Sequence, residues 1–194
     1  AREGVPNAFG PQRFGRGGRN LDLAQALAQG RRLRRRDRGF ALSAARSLIF
    51  NAVLARRVAD GSWERHQPGD RAGLAGSRSH FAVEEIDTEL QTRLATQDVH
   101  PTGPLWGRGE PPGAGVPAAL EREVGRSLAP LDSVLEQAGL SQERRALRLS
   151  VEGLTWDWQS DALALGFTLV AGGFATAVLG ALAGSRPEVA DSSG

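Results

Sequence analysis

The sequence predicts an α+β protein, in which helices and short strands are separated by segments rich in proline and glycine. Apolar residues recur every three or four positions over residues 40–60, which is the period of an amphipathic helix. Over residues 163–169, large apolar residues alternate with small ones, which is the period of a strand. A chain of 194 residues can form one or two domains with a buried core.

Residues 5–15 are predicted to form a shaped loop, because their prolines and glycines exclude a regular helix or a central strand. The loop contains Phe9 and Phe14, which have flat faces, and Arg13, which has a planar charged group. Such a loop can hold a nucleobase by stacking and a phosphate by charge. The alternative is a loop that anchors its phenylalanines in the core, with Arg13 in a structural ion pair.

The next elements are predicted from caps and periodicity. A short helix is expected over residues 21–29, with Asn20 as its N-cap and Gly30 at its end. Residues 31–38 contain six arginines, so they are expected to form a solvent-exposed linker that doubles as an RNA-contacting strap. The clearest helix of the chain then covers residues 40–60.

The middle of the chain alternates between short elements and loops. Residues 61–79 are predicted to be loop with short strands, and Asp87 is predicted to cap a helix over residues 88–96. Residues 100–117 are predicted to be loop, in which Trp106 pins the backbone to the core. The remaining predictions are a strand at 80–83, helices at 117–127, 130–138 and 142–147, the last capped by Ser141, and strands at 147–151 and 156–158.

Residues 162–185 are 24 uncharged residues, so they pass a crude test for a membrane-spanning helix. The alternation over residues 163–169, the pair Gly172-Gly173 in the middle and the high content of alanine and glycine argue against one. We therefore predict a buried strand at 162–170, a glycine turn, and a packed helix at 173–183. A flexible tail is predicted for residues 187–194.

Charge is distributed unevenly along the chain. Residues 1–38 hold ten arginines against three acids, a net charge of +7, whereas the remaining 156 residues have a net charge of −5. A basic end on an otherwise acidic protein is typical of a site for a polyanion, although clustered arginines also form plain solvated surfaces. The sequence has no cysteine and only scattered histidines, so no metal site is predicted. Because it starts at Ala1 rather than methionine and shows no secretory signal, we expect a fragment of a longer protein.

Four segments carry long motifs with defined spacing. They are Asn7-x-x-Gly10-x-Gln12-Arg13-Phe14-Gly15, Leu42-Ser43-Ala44-Ala45-Arg46-Ser47-x-x-Phe50-Asn51, His100-Pro101-Thr102-Gly103-Pro104-Leu105-Trp106-Gly107 and Gly172-x-Phe174-Ala175-Thr176-x-Val178-Leu179. Together they resemble the motifs of the TruD family of tRNA pseudouridine synthases, and the resemblance runs nearly to the last residue. Ala8 departs from it, since the family commonly has an aromatic residue there, and Gly180-Ala181 stands where the family often continues with Arg-Glu.

The resemblance implies an isomerase that converts a uridine, by family at position 13 of tRNA, to pseudouridine without a cofactor or a metal. It implies that Phe9 stacks on the extruded base, that Asn7 positions the base or the catalytic carboxylate, and that Gln12 and Arg13 shape the pocket. The basic end would hold the RNA backbone through Arg16, Arg19, Arg31, Arg32, Arg34 and Arg35.

The resemblance does not supply a catalytic residue in this chain. The family's catalytic aspartate lies in a Gly-x-Lys-Asp segment before the asparagine motif, and this sequence contains no lysine. Nothing in the resemblance places Asp157 or Asp161 at the base. His100 has the chemistry of a general base, but no neighbour in sequence orients it. We therefore expect an inactive C-terminal part of a synthase.

The resemblance also implies a division into domains. Residues 1–32 and 153–186 would be pieces of the catalytic domain, a mixed sheet with helices, and residues 33–152 would be an inserted α+β TruD-type domain across a cleft. The expected partner is tRNA, with no membrane, and the expected state is a cytoplasmic monomer. Two alternatives remain at this point: a non-catalytic RNA-binding module of the same fold, and a protein anchored in a membrane through residues 162–185.

Overall fold

The computed structural model describes residues 4–184, and the tail predicted at 187–194 lies outside them. The helices are α1 Pro11–Phe14, α2 Arg19–Ala28, α3 Arg35–Ala59, α4 Thr88–Ala95, α5 Gly115–Ser127, α6 Leu131–Gln137 and α7 Ala175–Leu182. The strands are β1 Val5–Pro6, β2 Arg71–Leu74, β3 His80–Ala82, β4 Val99–Leu105, β5 Glu143–Ala146, β6 Arg148–Leu149, β7 Val151–Gln159 and β8 Ala162–Leu169. The predicted α+β class is confirmed.

Helix α3 is the element on which the others pack. Its apolar stripe is buried against α2, α5, α6 and β4, and Ile49, Phe50 and Leu54 have no exposed surface. The helix was predicted from residue 40, but it begins at Arg35, because Arg34 is extended and Asp37 provides a favourable charge in the first turn. The predicted linker of residues 31–38 is therefore wrong in its second half, which is helical.

Strand β4 replaces a predicted loop. It occupies an inner position of a four-stranded sheet with the order β3-β2-β4-β5, and all its pairings are antiparallel. Gly103 allows β4 to approach α3, since a Cβ there would lie 2.8 Å from Leu147 Cδ2 and 3.2 Å from the ring of Phe50. Pro101 lacks a donor but still accepts a hydrogen bond from Leu147 N (2.8 Å). Packing and pairing thus override the loop signal of the two prolines.

Strand β5 corrects another prediction, because residues 142–147 were expected to be helical. The backbone of Glu143–Ala146 instead pairs with β4, from Leu105 opposite Glu143 to Thr102 opposite Ala146. Ser141 consequently caps no helix. Alternation along a strand then sends the side chains of Arg144 and Arg145 to opposite faces of the sheet.

The C-terminal elements are a hairpin and a helix. β7 and β8 form a two-stranded antiparallel sheet, and no other strand within residues 4–184 pairs with it. The predicted strand at 162–170 is confirmed, but it is not buried, and Trp156 and Trp158 on β7 are 67% and 65% exposed. The predicted helix follows as α7. In the described part of the chain, no helix is long and apolar enough to cross a membrane.

Smaller predictions divide in the same way. Asp87 caps α4, accepting a hydrogen bond from Leu90 N (2.7 Å) as expected. Trp106 is buried in the core beside α2, α3 and α6, which confirms it as an anchor. Asn20 is not an N-cap, because α2 already begins at Arg19; its side chain instead donates to the carbonyl of Arg13 (3.1 Å). The predicted loop of residues 5–15 contains β1 and α1.

Candidate nucleic-acid interface

Asn7 lies at the end of β1, where hydrogen bonds from its backbone and its side chain hold it in place. Its backbone N donates to Leu147 O (2.8 Å), which continues the pairing of β1 with β6. Its side-chain Nδ2 donates to Ala146 O (2.9 Å), and its Oδ1 accepts from Arg145 Nη2 (2.6 Å). The amide of Asn7 is therefore buried, oriented and in direct contact with a guanidinium.

Phe9 follows on a segment that α3 holds in place. Asn51 on α3 accepts from Phe9 N and donates to Phe9 O, both at 2.9 Å. The Phe9 ring meets Phe50 edge-on, with centroids 5.5 Å apart, and Phe174 at 5.9 Å. Only 7% of Phe9 is exposed, so its ring is part of the core and also borders the surface groove described below.

Two guanidinium groups lie over the Phe9 ring. Cζ of Arg145 is 4.3 Å from the ring centroid and Cζ of Arg13 is 4.8 Å from it. Both groups also lie within 5.7 Å of the centroid of the Phe174 ring. Arg13 is anchored by a 2.7 Å hydrogen bond from Nη1 to Ser43 Oγ, not by the ion pair considered from the sequence. Cation–π attraction therefore contributes to holding two like charges together.

Gln12 ties α1 to α7. Its Nε2 donates to Thr176 Oγ1 (3.2 Å), although the two residues are 164 positions apart. The backbone of Gly10 also lies close to α7, because a Cβ on Gly10 would be 2.5 Å from the same hydroxyl oxygen of Thr176. The first and last motifs of the sequence thus meet in space.

An open groove of about 930 Å³ runs along this surface. Its walls come from β1, the segment around α1, the following glycine turn, α3 and α7. Residues that line it include Phe9, Phe14, Gly17, Leu48, Asn51 and Thr176. A second groove of about 900 Å³ lies beside Asn7 and Arg145 and continues past Gly172 and Gly173. The Asn7–Phe9 segment therefore borders both grooves.

Comparisons with known proteins show the family of this chain. Residues 20–181 match the profile of a family described as tRNA pseudouridine synthase D (TruD). The chain belongs to the TruD family. It is 51% identical over 185 residues to a tRNA pseudouridine synthase D of Pseudomonas entomophila and 50% identical over 181 residues to one of Pseudomonas putida. Each alignment covers 92% of this chain and 51% of the relative, so the chain spans about half the length of these curated relatives.

A solved structure supports the fold of this TruD-family chain. A crystal structure assigned to tRNA pseudouridine synthase D (TruD) of Methanosarcina mazei superposes with a TM-score of 0.71 at 20% sequence identity. The superposition covers 96% of this chain and 62% of the other. The family prediction from the four motifs is therefore confirmed, and the α+β architecture agrees with that of the solved relative.

The arginines predicted to hold RNA do not form one cluster. Arg16 and Arg19 are exposed at the start of α2, whereas Arg31, Arg32, Arg34 and Arg35 are exposed beyond its end. The ten residues of α2 hold the two groups about 15 Å apart along the helix axis. Within residues 4–184, none of the six forms an ion pair, so their charges face solvent.

None of the acids and bases considered from the sequence is placed to act beside Asn7 and Phe9. Asp157 and Asp161 belong to the exposed β7–β8 hairpin and form no ion pair within residues 4–184. His100 is buried, and its Nδ1 accepts from Arg148 Nε (3.1 Å). Burial and the charge of Arg148 lower the pKa of His100 to about 4, so it is a neutral structural acceptor at pH 7. In the described part of the chain, no group of three or more potential metal ligands occurs.

Sequence reasoning missed Arg145, which donates a hydrogen bond to Asn7 and lies over the ring of Phe9. It was hidden because residues 142–147 were predicted as a helix, and a helix would not present this side chain to Asn7. The available signal was the pattern Glu143-Arg144-Arg145-Ala146-Leu147, whose polar start and apolar end also fit a strand that enters a core.

Proposed function

We propose that this chain is the uridine-holding part of a tRNA pseudouridine synthase, which isomerises uridine to pseudouridine at position 13 of tRNA. The observation that carries the proposal is the Asn7–Phe9 segment at the border of two grooves. Its buried amide contacts the guanidinium of Arg145, and its aromatic ring lies under the guanidinium groups of Arg13 and Arg145. Support also comes from relatives about 50% identical that are named tRNA pseudouridine synthase D.

In this proposal, Phe9 receives the uracil after it leaves the RNA stack. Because the ring is only 7% exposed, the base reaches it only when one guanidinium moves aside. Arg145 is the one that moves in this proposal, because it lines the second groove, whereas Arg13 lines neither groove and is anchored on Ser43. Asn7 then lies beside the base, and Gln12 keeps α1 against α7 so that the groove retains its shape.

The reaction itself needs an aspartate that this chain does not bring to the base. The Gly-x-Lys-Asp segment of the family is absent from the sequence. Within residues 4–184, no carboxylate forms an ion pair with Arg13 or Arg145. We therefore propose that the chain alone binds tRNA without turnover, and that the half of the relatives that it does not match supplies the carboxylate.

Tritium release from tRNA that carries [5-³H]uridine tests this function. The isolated chain is expected to release tritium at the rate of buffer, and turnover well above buffer would contradict the assignment of the missing carboxylate. Adding the unmatched half of the Pseudomonas putida relative as a separate polypeptide is expected to restore release. No release from that mixture, together with no tRNA binding by the chain, would refute the proposed function.

A matched pair of variants sharpens the test. In the restored mixture, Phe9→Ala is expected to abolish turnover, whereas tRNA affinity falls by only about 1–3 kcal/mol, the contribution of one stacked base. Phe40→Ala removes the same side chain at a position that is 44% exposed and outside both grooves, so turnover is expected to stay. Equal loss in both variants would argue against a special role for Phe9.

The second candidate function is a non-catalytic RNA-binding module of the same fold. The six exposed arginines at the two ends of α2 favour it, because their charges are free to bind backbone phosphates. This candidate predicts that affinity falls steeply with salt and does not depend on a uridine. Turnover in the restored mixture would eliminate it.

The domain division is also a proposal. Residues 1–32 and 153–186 would be pieces of the catalytic domain, and residues 33–152 would be the inserted domain. The β7–β8 hairpin supports this division, because it pairs with no other strand within residues 4–184 and exposes two tryptophans. A cytoplasmic location and a monomeric state stay predictions.

A further inference from the structure

Arg145 differs from Arg57 and Arg144, two other arginines placed deep in the fold, by its lack of a carboxylate. Arg57 forms two hydrogen bonds to Asp70, at 2.8 and 3.0 Å, and Arg144 forms two to Glu121, at 2.7 and 2.8 Å. Arg145, by contrast, donates to two neutral acceptors in the described range of residues 4–184, Asn7 Oδ1 (2.6 Å) and Gly172 O (3.1 Å). Its Nε is buried and has no hydrogen-bond partner within residues 4–184.

The environment of Arg145 makes this lack of a counter-charge unfavourable. Burial and the charge of Arg13 lower the pKa of Arg145 to about 10, so the guanidinium remains protonated at pH 7. Arg13 lies over the same Phe9 and Phe174 rings. Within residues 4–184, neither arginine has an ion-pair partner. An anion between the two groups would relieve their repulsion and satisfy the buried N–H.

The position of the pair decides which anion fits. The guanidinium groups lie 4.3 and 4.8 Å from an aromatic ring that borders one groove, and Arg145 lines the other. A nucleotide combines a flat base with an anionic phosphate about one ribose away, and this site combines an aromatic ring with two cations that lie over it. Guanidinium groups also bind phosphate with two parallel hydrogen bonds, a geometry that fits the free Nε of Arg145.

We propose that Arg13 and Arg145 form the binding site for the backbone phosphate of the nucleotide whose base Phe9 receives. Arg145 leaves the Phe9 ring for this phosphate, so the same movement uncovers the ring and binds the anion. The inference rests on the proposed function for the identity of the RNA, but the phosphate site itself can be measured without RNA.

The test is a titration of the whole chain, labelled with ¹⁵N in arginine, followed by NMR of the Nε–H signals. The probes are inorganic phosphate, uridine, uridine 3′-monophosphate and acetate. Phosphate is expected to shift the Arg145 and Arg13 signals. Uridine 3′-monophosphate is expected to bind about 10-fold or more tightly than uridine, the difference that charge-assisted hydrogen bonds provide.

Variants separate a phosphate contact from general charge. Arg145→Gln is expected to abolish the roughly 10-fold advantage of the nucleotide over the nucleoside. Arg145→Lys is expected to restore only part of it, because an ammonium lacks the two-pronged geometry. Arg126→Gln makes the same charge change at an exposed position on α5 and is expected to behave like the unmodified chain.

Several outcomes would overturn the inference. One is the absence of a phosphate-induced shift at Arg145 in the unmodified chain, a result that does not depend on whether any variant folds. Another is equal affinity for uridine and its monophosphate. Acetate saturation at a lower concentration than phosphate would instead indicate a protein carboxylate as the occupant. If uridine 3′-monophosphate binds as expected but tRNA does not, the proposed function fails and the phosphate site stands.

Discussion

The Asn51 side chain binds both backbone polar groups of Phe9. Its Oδ1 accepts a hydrogen bond from Phe9 N and its Nδ2 donates one to Phe9 O, each with a length of 2.9 Å, and both residues are buried. An amide side chain on a long helix thus imitates a neighbouring strand. The aromatic ring at the border of the groove is thereby positioned by α3, 42 residues further along the chain.

Asn51→Ala is expected to destabilise the chain by about 2–4 kcal/mol, because a buried N–H and a buried carbonyl lose their partner. The measurement is urea unfolding followed by circular dichroism. Gln91→Ala on α4 is the control, since this exposed amide has no side-chain hydrogen bond within residues 4–184 and should change stability by less than about 0.5 kcal/mol. Similar small effects in both variants would refute the positioning role.

Two adjacent arginines on α3 are expected to differ sharply. Arg57 and Asp70 form a buried pair with side chains 2% and 0% exposed, whereas Arg56 and Glu123 form a pair that is 55% and 64% exposed. Arg57→Gln leaves a buried carboxylate unpaired and is expected to lower the free energy of unfolding by about 3–5 kcal/mol. Arg56→Gln is expected to lower it by less than about 1 kcal/mol. Thermal unfolding at pH 7 measures both, and a tolerated Arg57→Gln would contradict the buried pair.

Protonation of His66 is expected to lower the free energy of unfolding as the pH falls. Burial lowers its pKa from 6.5 to about 4, and neither ring nitrogen has a hydrogen-bond partner within residues 4–184. Between pH 6.5 and pH 4 the unfolded chain binds more protons at this histidine than the folded chain does. The free energy of unfolding therefore has its full value above pH 6.5 and decreases as the pH falls towards 4. The full loss corresponds to about 3 kcal/mol.

His66→Leu removes this titration without breaking a hydrogen bond, so it is expected to flatten the decline between pH 6.5 and 4. The measurement is the free energy of unfolding in urea at half-unit steps of pH. His100 has a pKa lowered to about 4 as well, so part of the decline will remain in the variant. An unchanged slope would show that folding does not lower the pKa of His66.

Glycines on two helices are expected to respond to alanine with opposite signs. At Gly125 on α5, a Cβ would lie 2.5 Å from Trp106 Cη2, so Gly125→Ala is expected to destabilise by about 1–3 kcal/mol through overpacking. At Gly39 on α3, nothing lies within 4 Å, so Gly39→Ala is expected to stabilise by about 0.5–1 kcal/mol through helix propensity. Thermal unfolding of both variants measures these changes in stability. A Gly125→Ala variant that is more stable than the unmodified chain would contradict the close packing.

Periodic segments were predictable from the sequence, whereas segments of mixed character were not. The stripe of α3, the cap at Asp87 and the alternation of β8 each depend on neighbours within one or two turns, so local patterns were sufficient. Residues 142–147 carry three charges and a good helix-forming composition, yet Glu143–Ala146 form β5 because they pair with the backbone of β4. The two prolines of β4 predicted a loop, but these residues form a strand because packing and pairing stabilise it.

The sequence by itself determined the family, which the comparisons confirm, and also the α+β class and the positions of Asn7 and Phe9 in one segment. Only the tertiary structure decided that Arg145 joins them, that Gln12 meets Thr176, and that the six surface arginines divide between the ends of α2. The physical reason is distance along the chain. Periodicity reports contacts within a helix or strand, whereas Arg145 reaches Asn7 across 138 residues, through a register that only the pairing of β4 with β5 and of β1 with β6 establishes.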